Sequence, residues 1–294
     1  MKKLSARLVK LLWIVFMVAG FLVMSYPFVF GIMASLLTKD EYLVQGSLLP
    51  LSYQPSLRAL LAIFQPIAVR PLLNSVTRTI WYVVIMSAQA MLAGYVLSRF
   101  RFRGRSVFMG AIVGAQLIPG ALLLIPTYVW AARFPFIGGN NWRGMGGHGL
   151  VNNPLVLYVL SNPGGLLNIF LFKQATDGLN VAFEEAAAID GANFWRTLFT
   201  IVAPMQKPIL VTIALGVALG TWNDWFVPFV YLDDFKYQTL PAYVALLSTQ
   251  GSVSNTDWPL VFGISTVMMI PPLLLLMWLQ RYIIQGFASA GLKG

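Results

Sequence analysis

The sequence contains no cysteine and a single histidine, His148. Disulfides, thiolate metal sites and cysteine nucleophiles are therefore excluded, and one imidazole cannot supply a histidine-rich metal site or an H-E-x-x-H pair. The Walker A motif of nucleotide-binding loops and the G-x-S-x-G elbow of hydrolases are missing too. These absences predict that the chain is not an enzyme, holds no metal or cofactor of its own, and leaves catalysis to another chain.

Charged residues are also scarce. They make up 10% of the 294 residues, against about 25% in a typical soluble domain. With 58% hydrophobic residues, this composition predicts a polytopic membrane protein. The formal net charge of +10 would suit nucleic-acid binding in a soluble protein. Here the basic residues flank apolar runs, so membrane topology accounts for them and no nucleic-acid partner is expected.

Long apolar runs are abundant. The first is uncharged from residue 11 to residue 37, which exceeds the roughly 7–15 residues of a signal-peptide core and matches the ~20 residues that cross a bilayer. We therefore predict an uncleaved first span, bent near Pro27. The predicted fold class is an all-α membrane protein with six transmembrane helices, near residues 11–37, 72–97, 107–132, 155–172, 209–231 and 259–279.

Glycine and proline recur inside these spans. Gly110 and Gly114, and likewise Gly216 and Gly220, have the small-xxx-small spacing that lets membrane helices approach closely. Pro119 interrupts the third span and allows it to kink. We therefore expect close helix contacts at the glycines and a bend near the proline.

The longest polar stretch follows the fourth apolar run. Glu184, Glu185 and Asp190 are costly in hydrocarbon, so the stretch is predicted to lie outside the bilayer. The alanine-rich run after Glu185 has high helix propensity, and acidic residues near a helix N-terminus complement the helix dipole. Asp190-Gly191 predicts a turn. A second, amphipathic helix is predicted to follow over residues 193–202.

The basic residues predict the orientation, because they concentrate on the cytosolic side of membrane proteins. With the hairpin placed in the cytosol, thirteen of the twenty basic residues fall in cytosolic segments and seven in external ones. Both termini are therefore expected in the cytosol. The seven residues assigned to the outside are Lys39, Arg58, Arg70, Arg78, Arg133, Arg143 and Lys236.

The segment between the third and fourth spans is rich in glycine. Gly144, Gly146 and Gly149 spell G-x-G-x-x-G. The preceding strand, following helix and later acidic residue that a dinucleotide fingerprint requires are all missing. Residues 134–153 are therefore predicted to form a flexible external loop.

Four polar residues inside the predicted spans are candidates for lining a solute pathway: Gln89, Gln116, Asn223 and Asp224. Asp224 would lie about 24 Å along the fifth span from Pro208 at ~1.5 Å per residue. An ionisable residue in a span is a functional candidate by default. Anchoring near the outer headgroups, helped by the adjacent tryptophans, is an equally supported alternative for Asp224. For Gln89, Gln116 and Asn223, ordinary helix packing is the commoner role.

The polar hairpin resembles the EAA loop of bacterial ABC importer permeases. The matching residues are Glu185, Ala186, Ala187, Asp190, Gly191 and Ala192, followed by an aromatic-rich helix and a proline. The resemblance implies a cytosolic coupling helix-turn-helix that docks in a cleft of an ATP-hydrolysing subunit. A solvated connector between spans is the alternative. The coupling residues that the resemblance implies are Glu184, Glu185, Ala186, Ala187, Asp190, Gly191, Ala192, Phe194, Trp195, Phe199 and Pro204.

The resemblance also implies roles for single residues of the hairpin. Here Glu185 would pair with a basic group of that subunit, Gly191 would permit the sharp turn, and the aromatic side chains would fill the cleft. Ala203 departs from the pattern, because a larger apolar residue usually precedes the first proline. We expect this departure to change only local packing.

The resemblance extends over almost the whole chain to permeases of the maltose-type carbohydrate uptake family. It includes Asn74-Ser75, Ile125-Pro126, Trp222-Asn223-Asp224, Thr239-Leu240-Pro241 and Gly291-Leu292-Lys293-Gly294. It implies a MetI/MalG-like permease fold in a bacterial cytoplasmic (inner) membrane. The implied partners are a MalF-like second permease, two ATP-binding cassette subunits that bind the ATP, and an extracytoplasmic solute-binding protein. The tail residues Leu292, Lys293 and Gly294 would reach the ATPase interface.

The function expected from these features is that of a permease subunit of a binding-protein-dependent ABC importer for sugars or oligosaccharides. A sugar phosphate, a polyol or an acidic oligosaccharide is an open alternative as the solute. A secondary transporter is a weaker alternative, because no internal repeat is found. The expected domains are residues 1–71 with the first span and an external segment, 72–284 as the core permease domain with the EAA loop at 182–208, and 285–294 as a cytosolic tail.

Overall fold

The structure is a computed structural model that describes residues 2–45, 48–160, 165–249 and 255–291, with side chains from residue 9 to residue 280 of those ranges. Helix is the only regular secondary structure in these residues. In chain order the helices are α1 (Lys2–Ala34), α2 (Lys39–Gln45), α3 (Arg58–Leu61), α4 (Pro66–Arg99), α5 (Arg105–Ala115), α6 (Leu124–Ala132), α7 (Val156–Val159), α8 (Gly165–Asp177), α9 (Ala182–Ile189), α10 (Phe194–Thr197), α11 (Ala203–Met205), α12 (Lys207–Trp222), α13 (Phe226–Tyr231), α14 (Leu240–Thr249), α15 (Trp258–Met268) and α16 (Ile270–Gly291). Short 3-10 turns occur at Ala62–Phe64, Gly120–Leu123 and Phe235–Tyr237, and a π-helical turn at Leu198–Val202.

Three helical stretches are long and apolar enough to cross a membrane by themselves: Val9–Ala34, Pro66–Arg99 and Trp258–Gln280. Two helix pairs also qualify if each is counted as one broken span: Arg105–Ala115 with Gly120–Ala132, and Phe194–Met205 with Lys207–Trp222. By length and composition, the described residues thus contain three to five spans. The first pair is bent by 97°, which confirms the kink expected at Pro119.

The predicted fifth span is divided in the structure. Helix α12 ends at Trp222 and α13 begins at Phe226. Between them, the Asn223 side chain donates to the Leu219 carbonyl oxygen, and Asp224 Oδ1 accepts from the backbone N–H groups of the following turn. Polar side chains that bond the backbone in this way compete with a continuous helix. Residues 155–172 likewise fall on two helices, α7 and α8, and residues 161–164 lie outside the described part of the chain.

One compact unit comprises the chain up to Val69 together with residues 244–270. Helix α2 begins with a capping box, in which the Thr38 N–H donates to Glu41 Oε2 at 2.9 Å and the Glu41 N–H donates to Thr38 Oγ1 at 3.3 Å. The backbone hydrogen bond from Thr38 lowers the pKa of the Glu41 carboxyl group. Helices α3 and α15 meet at Gly263, where an added Cβ would lie 2.5 Å from the Ala59 carbonyl carbon. This contact therefore requires glycine.

The other compact unit comprises residues 70–243 with the chain from residue 271 onward. Helix α4 contributes half of the residues in the main core of this unit, which consists of Tyr82, Met86, Ala90, Met91, Tyr95, Phe172, Leu198, Val202, Ile213 and Val217. A second core joins α6, α7 and α13 through Ala131, Leu150, Val156, Leu157, Tyr231 and Leu232. Both cores contain residues that come from distant parts of the chain. The helices of this unit are therefore held by tertiary packing.

Helices α4 and α8 approach each other at Gly94. An added Cβ there would lie 3.0 Å from the Ile169 carbonyl oxygen. By contrast, a Cβ on Gly110, Gly114 or Gly216 would meet nothing within 4 Å. For these three glycines, the expectation of close helix contacts within the described chain is wrong. The small-xxx-small pattern records spacing along one helix and carries no information on which neighbour lies opposite.

A second contact joins the C-terminal ends of α4 and α8. Asp177 accepts hydrogen bonds from Ser98 at 2.7 Å and from Lys173 at 2.5 Å. Burial alone would raise the pKa of the Asp177 carboxyl group, but the hydrogen bonds from Lys173 and Ser98 outweigh this and lower it. The carboxylate therefore stays ionised at neutral pH and holds the two helices together.

The glycine-rich segment over residues 134–153 is closed by hydrogen bonds. The buried Asn140 side chain donates to the carbonyl oxygens of Ala132 and Phe134 and accepts from the Gly147 N–H, at 2.9 to 3.0 Å. Gly138 has a positive φ of 59°, and an added Cβ there would lie 2.2 Å from the Gly149 carbonyl oxygen. The sequence predicted a flexible loop and did not reveal these hydrogen bonds. Bonds between an amide side chain and the backbone leave no periodic pattern in the sequence.

Candidate functional site

Helix α9 forms the first arm of the predicted hairpin. It begins with Glu184 and Glu185 in its first turn, and Ala187 is its buried residue. Its C-terminus is a Schellman motif: the Gly191 N–H donates to the Ala188 carbonyl oxygen at 3.1 Å and the Ala192 N–H to that of Ala187 at 2.9 Å. Gly191 has a positive φ of 78°, which confirms the predicted glycine turn.

The second arm begins at Asn193. Its side chain accepts the Arg196 N–H at 2.9 Å and caps α10. The helix continues through the π-helical turn, where Leu198 and Val202 are buried against the main core. The amphipathic helix predicted over residues 193–202 is therefore confirmed, with a wider turn at its end.

Several side chains of this hairpin point to solvent. Ile189 is 87% exposed, Trp195 55% and Phe199 52%. The two aromatic rings are stacked, with centroids 6.0 Å apart. We call Glu185, Ala186, Ile189, Trp195 and Phe199 the hairpin surface; all five are exposed. Large apolar side chains exposed on a polar loop are typical of a docking site for another protein.

Among the residues that the sequence assigned to docking, Glu184 and Phe194 make contacts inside the chain, as does the buried Ala187. Glu184 Oε1 accepts from Arg99 Nε at 2.7 Å, and its Oε2 accepts from the Tyr95 hydroxyl at 2.8 Å. Phe194 is half-buried, with its ring centroid 5.5 Å from that of Tyr95 and 6.0 Å from that of Phe100. We call Tyr95, Arg99 and Phe100 the α4 socket. The remaining motif residues, Asp190 and Pro204, are exposed.

The structure also contains a buried ion pair that sequence reasoning missed. Arg78 Nη2 and Asp224 Oδ2 are 2.5 Å apart, and the Arg78 side chain is fully buried. Arg78 Nε also donates to the Leu157 carbonyl oxygen at 3.1 Å. The sequence counted Arg78 among the external basic residues, whereas in the structure it lies within α4 with its side chain buried. An arginine inside an apolar run was the signal that could have found it.

The other candidate pathway residues lie on separate elements. Gln89 is on α4, Gln116 follows α5 and Asn223 follows α12, and all three are exposed. Asp224 is partly buried and engaged by Arg78. The predicted tail contacts, Leu292, Lys293 and Gly294, lie outside the described residues. Within the described part of the chain, no cluster of histidine and acidic residues is suited to hold a metal ion.

The fold and the site together define the class: a polytopic helical membrane protein with an exposed helix-turn-helix between apolar segments. The family described as "Binding-protein-dependent transport system inner membrane component" matches residues 90–289, and the chain belongs to this family. It is therefore a membrane component of a transport system that uses a solute-binding protein. The resemblance to ABC importer permeases is confirmed.

Known proteins similar to this chain support the assignment. The probable ABC transporter permease protein YurM of Bacillus subtilis is 27% identical over 95% of this chain and 87% of its own length. The arabinooligosaccharides permease AraQ of Halalkalibacterium halodurans is 28% identical over 75% of this chain and 73% of its own. The trehalose/maltose permease MalG of Thermococcus litoralis is 28% identical over 69% and 68%.

A solved structure shows the same fold. A chain from the crystal structure of a bacterial ABC transporter that imports the acidic polysaccharide alginate superposes with a TM-score of 0.75 at 22% identity. The match covers 95% of this chain and 98% of that one. The predicted all-α permease fold is confirmed.

Proposed function

We propose that this chain is the permease subunit through which a binding-protein-dependent importer moves a sugar or oligosaccharide, driven by ATP that separate subunits bind and hydrolyse. The observation that carries the proposal is the hairpin, whose EAA residues form a helix, a glycine turn and a second helix with exposed apolar side chains. Relatives named for arabinooligosaccharides and for trehalose and maltose support the choice of solute class.

The hairpin surface is the proposed contact with an ATP-binding cassette subunit. Trp195 and Phe199 offer a rigid stacked pair that suits a cleft, and tryptophan is enriched among residues that dominate binding energy. Glu185 is exposed on α9 and available to a basic group of the ATPase. When ATP closes the paired ATPases, the hairpins move with them and the membrane helices switch between inward-facing and outward-facing arrangements.

The proposed assembly has a second permease, two ATPase subunits and an extracytoplasmic solute-binding protein. It places the hairpin and both termini in the cytosol of a bacterial cell, and the tail at residues 292–294 against the ATPase. Gln89, Gln116 and Asn223 are the proposed pathway residues. Asp224 serves in this proposal to hold the break between α12 and α13, because its carboxylate is paired with Arg78.

The proposal predicts that Glu185→Lys lowers solute transport by about tenfold, because the reversed charge repels the basic group of the ATPase. Gly191→Val is expected to act similarly, since a β-branched residue is strained at positive φ. Transport and ATP hydrolysis are measured in proteoliposomes containing all subunits. The matched control is Asp40→Lys, the same change of charge on an exposed residue of α2. Normal transport by Glu185→Lys, with the subunits assembled, would contradict the docking role.

A further inference from the structure

The C-terminal end of α4 contacts both arms of the coupling hairpin. Arg99 and Tyr95 bond Glu184 on α9, while Tyr95 and Phe100 pack around Phe194 on α10. These residues are about 85 positions or more apart in the chain, yet they meet in one cluster. The hairpin therefore has a non-covalent attachment to the membrane helices in addition to its covalent connections.

The polar half of this attachment is well formed. The side chains of Arg99 and Glu184 are only 13% and 10% exposed. Arg99 Nη2 also donates to the Leu179 carbonyl oxygen at 2.9 Å, just before α9 begins. Both carboxylate oxygens of Glu184 are thus engaged by the socket, and a charge-assisted bond with little water around it is stronger than an exposed ion pair.

The covalent route from the second arm of the hairpin into α12 is indirect. The segment Phe194–Met205 meets Lys207–Trp222 at a bend of 83°, and a π-helical turn precedes the bend. A displacement of the hairpin is therefore not directed along the axis of α12. Helix α4, by contrast, is 34 residues long. Residues at its C-terminal end hydrogen-bond Glu184 on α9 and pack against Phe194 on α10.

From this geometry we infer that Glu184, Arg99 and Tyr95 are positioning residues that clamp the coupling hairpin to α4, so that α4 moves with the hairpin when the ATPases close. The inference rests on the proposed function and extends it. It assigns different roles to the two adjacent glutamates of α9. Glu185 contacts the ATPase, and Glu184 contacts the membrane helix.

The test uses the full transporter, with both permeases and both ATPases in lipid nanodiscs. Because the chain lacks cysteine, Val84→Cys on α4, a 59% exposed position, gives a single site in this chain for an environment-sensitive maleimide. Any cysteines of the partner subunits are replaced. Adding ATP and vanadate should change the fluorescence. Glu184→Gln and Arg99→Gln are each expected to weaken that response by about tenfold, the loss expected for one hydrogen bond to a charged group.

The double variant Arg99→Gln with Glu184→Gln should be no worse than Arg99→Gln alone, because that single change already removes the ion pair with Glu184 together with the bond to Leu179. Arg101→Gln is the matched control, since it removes an equal charge from an exposed neighbour. If the Glu184→Gln variant fails to assemble, Tyr95→Phe tests the clamp in its place. It keeps the ring and loses only the hydroxyl group, and it should likewise weaken the fluorescence response. A purely structural role would lower the yield of complex and leave the response per complex unchanged.

Three results separate the two proposals. If the ATPase subunits do not bind the unmodified permease, the proposed function fails. If they bind and the α4 reporter does not respond to ATP and vanadate, the clamp is overturned and docking stands. If the reporter responds equally in Glu184→Gln, Arg99→Gln and the unmodified protein, the clamp is overturned as well.

Discussion

Glu184 and Glu185 are neighbours in the sequence with opposite surroundings. Successive residues of an α-helix point about 100° apart, so the two carboxylates cannot share one face of α9. Glu184 is turned toward α4 and bonded twice, while Glu185 is exposed. The sequence assigned both residues to docking and could not distinguish their roles, because the distinction depends on Arg99, which lies 85 positions earlier.

The buried ion pair between Arg78 and Asp224 gives a prediction on stability at the level of single residues. Arg78→Met is expected to lower the free energy of unfolding by about 3–5 kcal/mol, because the Asp224 carboxylate loses its ion-pair partner in a largely buried site. Removing both charges, with Arg78→Met and Asp224→Asn, should cost less than the single change. Thermal unfolding in detergent measures both effects.

The control for this prediction is Arg58→Met. Arg58 is exposed on the short helix α3, so losing its charge should leave the melting temperature almost unchanged. A melting temperature for Arg78→Met equal to that of the unmodified protein would show that the pair does not stabilise the fold.

Among the elements, α4 connects most of the second compact unit. It contributes to the main core, contacts α8 at Gly94, pairs with the break after α12 through Arg78, and ends in the socket for the hairpin. The sequence predicted its span and its basic C-terminal end correctly. Its contacts were not predictable, because an apolar run has the same appearance whichever helices surround it.

Gly94→Leu tests the close approach of α4 and α8. Leucine has a higher helix propensity than glycine, so any loss of stability must come from overpacking against Ile169 and Phe172, with an expected cost of about 1–3 kcal/mol. Gly114→Leu on α5 makes the same substitution where an added Cβ meets nothing within 4 Å. Equal melting temperatures for the two variants in detergent would show that the contact at Gly94 is unimportant.

For the whole molecule, the orientation in the membrane is the property that the proposal needs most. Because the protein lacks cysteine, each introduced cysteine reports on one site. In cells without the ATPase subunits, Trp142→Cys in the glycine-rich loop should react with a membrane-impermeant maleimide from outside. Ile189→Cys, on α9, should react only after permeabilisation. Both side chains are well exposed, at 66% and 87%.

The unmodified protein is the blank for this labelling, since it offers no thiol. The reverse pattern, with Ile189→Cys labelled in intact cells, would place the hairpin outside the cell. It would thereby exclude an intracellular ATPase as the partner of that surface.

Composition, long apolar runs and the EAA motif were enough to predict a helical membrane permease, its exposed helix-turn-helix and the turn at Gly191. These features could be predicted because spanning length, helix propensity and turn geometry depend on residues close together in the chain. The break in the fifth span, the glycine contact at Gly94 and the closed glycine-rich loop required the folded structure. So did the pairs Arg78–Asp224 and Arg99–Glu184, 146 and 85 positions apart, because ion pairing and close packing depend on distances in space that no periodic pattern along the chain encodes.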